Sequence, residues 1–109
     1  MIERPTDPVA GQTEETIGVY LSNCLPGAII AIRNAQGLGI RYVITSIEDI
    51  NPSIGRLYTP IPGQRGGKAW YSKTGKNCYH PKGQSRLVEP TEAVRNFASQ
   101  YPIGCMVKS

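Results

Sequence analysis

Apolar residues along this chain keep two rhythms, and the changes of rhythm divide it into elements. Between Thr13 and Gly27, Ile17, Tyr20, Leu21, Cys24 and Leu25 recur at helical spacing. Thr13 stands where an N-cap belongs, and Glu14 and Glu15 fall in the first turn, where acids favour the positive end of the helix dipole. Pro26-Gly27 stops the run, so the spacing predicts a helix. Gly18 among the β-formers Ile17, Val19 and Tyr20 keeps a strand open as the alternative. Residues 1–12 hold two prolines and no period, and read as an extended N-terminal arm.

The rhythm then shortens. "GAIIAIRN" is a continuous apolar run, as a strand buried on both sides would be. "IRYVITSIED" alternates, with Ile40, Tyr42, Ile44 and Ser46 on one face and Arg41, Val43, Thr45 and Ile47 on the other. The glycine-containing "AQGLG" between them predicts an antiparallel hairpin. Past an irregular connection, Arg56–Thr59 suits a short strand before Pro60. "KAWYSK" and "NCYH" read as two more strands joined by "TGKN", with Gly75 where a positive φ is needed. "SRLVEP" is a last short strand. "PTEAVRNFASQ" is a helix with Thr91 as N-cap and an apolar stripe of Val94, Phe97 and Ala98. Cys105–Val107 suits one more edge strand.

Glycine and proline supply 21 of 109 residues, well above ordinary usage of roughly 12%, which favours many turns over a helical bundle. The expectation is one domain over residues 13–109, mainly β with short helices, forming a small SH3-like barrel. An open α+β antiparallel sheet is the alternative. The pattern leaves open whether such a barrel closes within one chain or through a second copy, so a homo-oligomer remains an option.

Charge changes the picture more than composition does. The net charge is +4, but between Ile50 and Val88 there are seven cations and no acid, while the flanks carry five cations against eight acids. Residues 66–87, "GGKAWYSKTGKNCYHPKGQSRL", add three aromatics, the only histidine and Cys78. Lysines there can displace counterions from a phosphate backbone, and aromatic faces can stack unpaired bases. The candidate binding residues are Arg65, Lys68, Trp70, Lys73, Lys76, Tyr79, Lys82 and Arg86. In "KAWYSK" Trp70 and Tyr71 point to opposite faces, so one belongs to the core and the other outside. Nucleic acid is the expected partner of a non-enzymatic module, with an acidic protein surface as the alternative.

Other chemistry finds less support. Cys78 and His80 share a strand face, but zinc needs four ligands, and Cys24 and Cys105 are far away in sequence. A Cys78–His80 nucleophile needs an orienting carboxylate, and the stretch has none. "GQRGGK" lacks the spacing of a phosphate loop. No cofactor or metal is therefore expected. The arm has no apolar leader segment and no run reaches the about 20 apolar residues of a membrane span, so a cytoplasmic, reduced protein is the expectation.

The ending "YHPKGQSRLVEPTEAVRNF" is similar in rhythm to the end of the plasmid-encoded dihydrofolate reductases. Those are small SH3-like barrels that work as tetramers. Their Gln-Ile-Tyr pore motif is replaced here by Ser85-Arg86-Leu87-Val88, so the resemblance implies the barrel and not the reductase.

Overall fold

The computed structural model describes residues 5–9, 11–36, 39–60, 67–78 and 85–107. The chain runs α1 (Glu14–Ser22), β1 (Ile29–Gln36), β2 (Gly39–Ser46), β3 (Asp49–Asn51), β4 (Arg56–Pro60), β5 (Gly67–Tyr71), β6 (Ser85–Val88), α2 (Glu92–Gln100) and β7 (Cys105–Met106). The protein is mainly β with two short helices, as the pattern predicts. The hairpin forms in full, with β1 and β2 paired from Ile29↔Ser46 to Gln36↔Gly39. Ile30, Ala31 and Ile32 are buried in succession, so β1 is covered on both faces. On one of them Tyr42 meets Phe97 of α2 edge-on, with ring centroids 5.4 Å apart.

The SH3-like part of the expectation is not borne out by the described strands. They form two antiparallel sheets, β6-β1-β2-β7 and β3-β4-β5, that do not close into a barrel. Two departures from the expected pattern accompany this among the described residues. The long second strand breaks after Ser46: Ile47 N donates to Ala28 O, and Glu48 N turns instead to Tyr58 O. The described part of the predicted "NCYH" strand makes only isolated bridges, Trp70↔Asn77, with Lys76↔Arg86 just before it. The described part of the C-terminal stretch forms β6 followed by α2.

Both helices begin where their threonines predict. Thr13 and Thr16 cap each other reciprocally across the first turn of α1, and Val94 N donates to Thr91 Oγ1 at the start of α2. Tertiary contact decides between helix and strand around Gly18. Ile17 and Leu21 are buried, and Gly18 lies against the turn after β5, where a Cβ would stand 2.3 Å from the Lys73 carbonyl oxygen. Gly75 closes that turn at φ +77°, and a Cβ there would lie 2.7 Å from the Leu87 carbonyl oxygen. The predicted positive φ is present.

The described part of the N-terminal arm is fastened to the sheet. Val9 is buried, and Gln12 exchanges two hydrogen bonds with the backbone of Glu89. Asp7 accepts hydrogen bonds from Tyr42 OH, from Arg33 Nη2 at 2.9 Å and from Val9 N at 3.2 Å. Partial burial works against the Asp7 charge. The three donors and the Arg33 guanidinium outweigh it and hold the carboxyl below its ordinary value. Burial and the adjacent carboxylate push the Tyr42 phenol well upward. A depressed carboxyl stabilises the fold above its unfolded pKa of about 4, and that stabilisation is lost as pH falls through the folded value. Asp7→Asn should therefore lower the melting temperature at neutral pH and flatten its decline on acidification. Melting curves from neutral pH to below about 4 check this. An unchanged acid limb in the variant would remove Asp7 as its source.

Candidate nucleic-acid interface

Strand register determines which charges meet. In β3-β4-β5 the cross-strand pairs Ile50↔Leu57 and Leu57↔Trp70 place three apolar side chains in one inward row. Trp70 has no exposed surface, and its Nε1 donates to the buried Thr59 Oγ1 at 2.8 Å. The candidate base-stacking residue is thus a core residue. The large indole is buried with its single N–H satisfied, and the outward aromatic is Tyr71, 36% exposed. Lys68 is on the inward side too, half-buried at the strand end, with Nζ 5.9 Å from the Trp70 ring centroid.

The outward row is basic. Arg56 pairs with Tyr71, and Tyr71 N donates to Lys76 O at 2.9 Å, so Arg56, Tyr71 and Lys76 are successive cross-strand neighbours on one face. The ladder continues through the bridge Lys76↔Arg86 and the pair Arg33↔Arg86 into the other sheet, where both arginines are partly buried. Like charges set side by side repel, and two acids from the N-terminal segments offset two of them. Asp7 pairs with Arg33 at 2.9 Å, and Glu14 of α1 reaches Lys76 Nζ at 3.0 Å. The Lys76–Glu14 pair is half-exposed and worth at most about 1 kcal/mol, so Lys76 can exchange it for another anion. Arg86 Nε is buried and, among the described residues, has no hydrogen-bond partner. Lys73 stands exposed in the turn after β5.

That turn faces the β3–β4 turn across a surface cleft of about 540 Å³, with Pro52 and Ile54 on one side and Tyr71 and Lys73 on the other. Ser72 N donates to Gly55 O at 2.9 Å at its base and ties the two turns together. Of the eight candidate residues, the structure leaves Lys73 exposed and Lys76 half-exposed near Tyr71, holds Arg86 partly buried, and places Lys68 and Trp70 inward. Arg65, Tyr79 and Lys82, with His80, lie outside the described residues. Sequence reasoning missed Arg56 and Ile54. Arg56 is fifteen positions before Tyr71 in sequence, and only the register joins them. The alternation in "KAWYSK" carried the one usable signal for Tyr71.

The three cysteines are free and partly buried. Burial raises the Cys78 thiol above its ordinary value despite the opposing charge of Arg56, which makes the thiolate scarcer. Cys24 is raised by burial as well, and its Sγ donates to Tyr20 O at 3.3 Å. Among the described residues no group of three or more His, Cys, Asp or Glu side chains is placed to hold a metal, and no helix is long and apolar enough to cross a membrane. A scan of protein-family models and searches of curated proteins and of solved structures return no match to this chain.

Proposed function

We propose that this chain is a non-enzymatic binding module whose outer face, built from β4, β5 and the turn that follows, engages nucleic acid. The Arg56–Tyr71–Lys76 row beside Lys73 is the observation that carries this reading: an exposed aromatic ring bracketed by cations on a rigid ladder. The cations neutralise phosphates and the ring takes a base face. Backbone charge positions a nucleic acid without reading it, so binding is largely independent of sequence. One observation favours a second reading, an acidic protein surface as partner: Glu14 already docks on Lys76, so a carboxylate fits this face.

Fluorescence anisotropy of labelled single-stranded DNA, single-stranded RNA and duplex DNA, at low and moderate salt, tests the proposal. Binding should be saturable and weaken with salt. Lys73→Glu/Lys76→Glu should reduce affinity at least about tenfold and shallow the salt dependence by about 0.7 log units per lost contact on a single strand. No binding of any of the three would end the nucleic-acid reading and leave the acidic protein surface, to be sought by capture on the same face.

A further inference from the structure

Two large apolar side chains on this surface are exposed and face the same cleft. Ile54 is 54% exposed and Tyr71 is 36% exposed, and they line its two sides. Exposed apolar surface lining a cleft favours an apolar occupant, and the lining here includes an aromatic side chain, Tyr71, with the branched aliphatic Ile54 and Pro52. The volume, about 540 Å³, lies in the usual range of small-molecule sites. The backbone bond from Ser72 N to Gly55 O braces the two turns that form the walls.

An apolar slot alone would accept many groups. One cation at its rim and another on the adjoining strand narrow the choice. Lys73 is exposed at the mouth, and Arg56 lies beside Tyr71 across the ladder; among the described residues neither takes part in an ion pair. A ligand that presents a flat apolar ring and, within a side chain's length of it, a negative charge satisfies both features. A nucleobase on a phosphodiester chain is such a ligand, provided the base is unstacked. A base inside a duplex has both faces covered by its neighbours and must be flipped out before it can enter between two walls.

We infer that the Tyr71–Ile54 cleft is a nucleobase site, and that the polynucleotide this protein takes is single-stranded. The inference rests on the proposed nucleic-acid reading and narrows it. In it one base enters between Tyr71 and Ile54, and the adjoining phosphates meet Lys73 and Arg56. Stacking of this kind accepts any base, so discrimination is between strand states and not between sequences.

The experiment compares four labelled probes of equal length by anisotropy at moderate salt: oligo(dT), oligo(U), an abasic deoxyribose-phosphate strand and a DNA duplex. Oligo(dT) and oligo(U) should each bind about tenfold or more tighter than the abasic strand and the duplex. Tyr71→Ala should remove that advantage, leaving the abasic strand's affinity unchanged, and Tyr71→Phe should preserve it. The abasic probe tests the site without altering the protein, so the result does not depend on a variant that folds. An abasic strand that binds as tightly as oligo(dT), or a duplex that binds as tightly, overturns the base site while leaving the basic face as a nucleic-acid surface. Failure of all four probes to bind overturns both.

Discussion

Replacing Trp70 with alanine is expected to cost about 3–5 kcal/mol of folding stability, a large share of the about 5–15 kcal/mol that holds a domain together. The indole is fully buried in the inward row with Ile50 and Leu57, so truncation removes its transfer energy and leaves a cavity that a braced sheet cannot collapse. A second loss accompanies the first. Thr59 has no exposed surface, and its Oγ1 would lose the Trp70 N–H that it accepts at 2.8 Å. Trp70→Phe isolates that part, because the ring volume is largely kept while the donor is gone; about 1–3 kcal/mol is expected for a buried polar atom left unsatisfied. Urea unfolding reads both. A surface tryptophan would shift the midpoint by only a few tenths of a kcal/mol, so a change within about 0.5 kcal/mol for Trp70→Ala would return the residue to the outer face. The same burial makes Trp70 emission a reporter of unfolding, and ligand binding must be followed from the ligand's side.

Gly18→Ala is expected to destabilise, against its intrinsic tendency. In an isolated helix the change would gain about 1 kcal/mol. Here the new Cβ would stand 2.3 Å from the Lys73 carbonyl oxygen. A backbone atom in a closed turn cannot step aside as a side-chain tip can, so α1 or the turn must move. Overpacking of this kind costs about 1–3 kcal/mol. The turn is the one that presents Lys73 and forms a wall of the cleft, so the displacement also reaches the proposed binding face. Urea unfolding gives the sign directly: a Gly18→Ala variant as stable as the parent, or more so, would mean that the helix does not rest on this turn.

The elements themselves were largely legible. Helix starts at Thr13 and Thr91, the hairpin between residues 27 and 49, the short strand before Pro60 and the positive φ of Gly75 all follow from local chemistry, and local chemistry is what a pattern records. What failed was long-range. Nothing in "YVITSIED" marks the point at Ile47–Glu48 where hydrogen bonding passes from Ala28 to Tyr58, because that switch depends on two strands that are distant in sequence. The closed barrel was inferred from a count of strands, whereas the described strands form two sheets that do not close. The candidate site shows the same division. The acid-free basic stretch is the signal that drew attention to the proposed surface. Trp70 was assigned to it because period-2 alternation separates Trp70 from Tyr71 without saying which faces the core.

By itself, the sequence determined the mainly β class, the two capped helices, the glycine-dependent turn and the concentration of positive charge between Ile50 and Val88. Each of these depends on residues within a few positions of one another. The tertiary structure alone decided that Trp70 is inside and Tyr71 outside, that Arg56 and Lys76 bracket Tyr71, and that Glu14 and Asp7 descend on the basic row. It also decided that Ile54 and Tyr71 share a cleft. The physical reason is register: a one-residue slip in β4 or β5 would exchange the two faces, and the register is set by how much apolar surface the whole sheet buries, a quantity that belongs to no single segment.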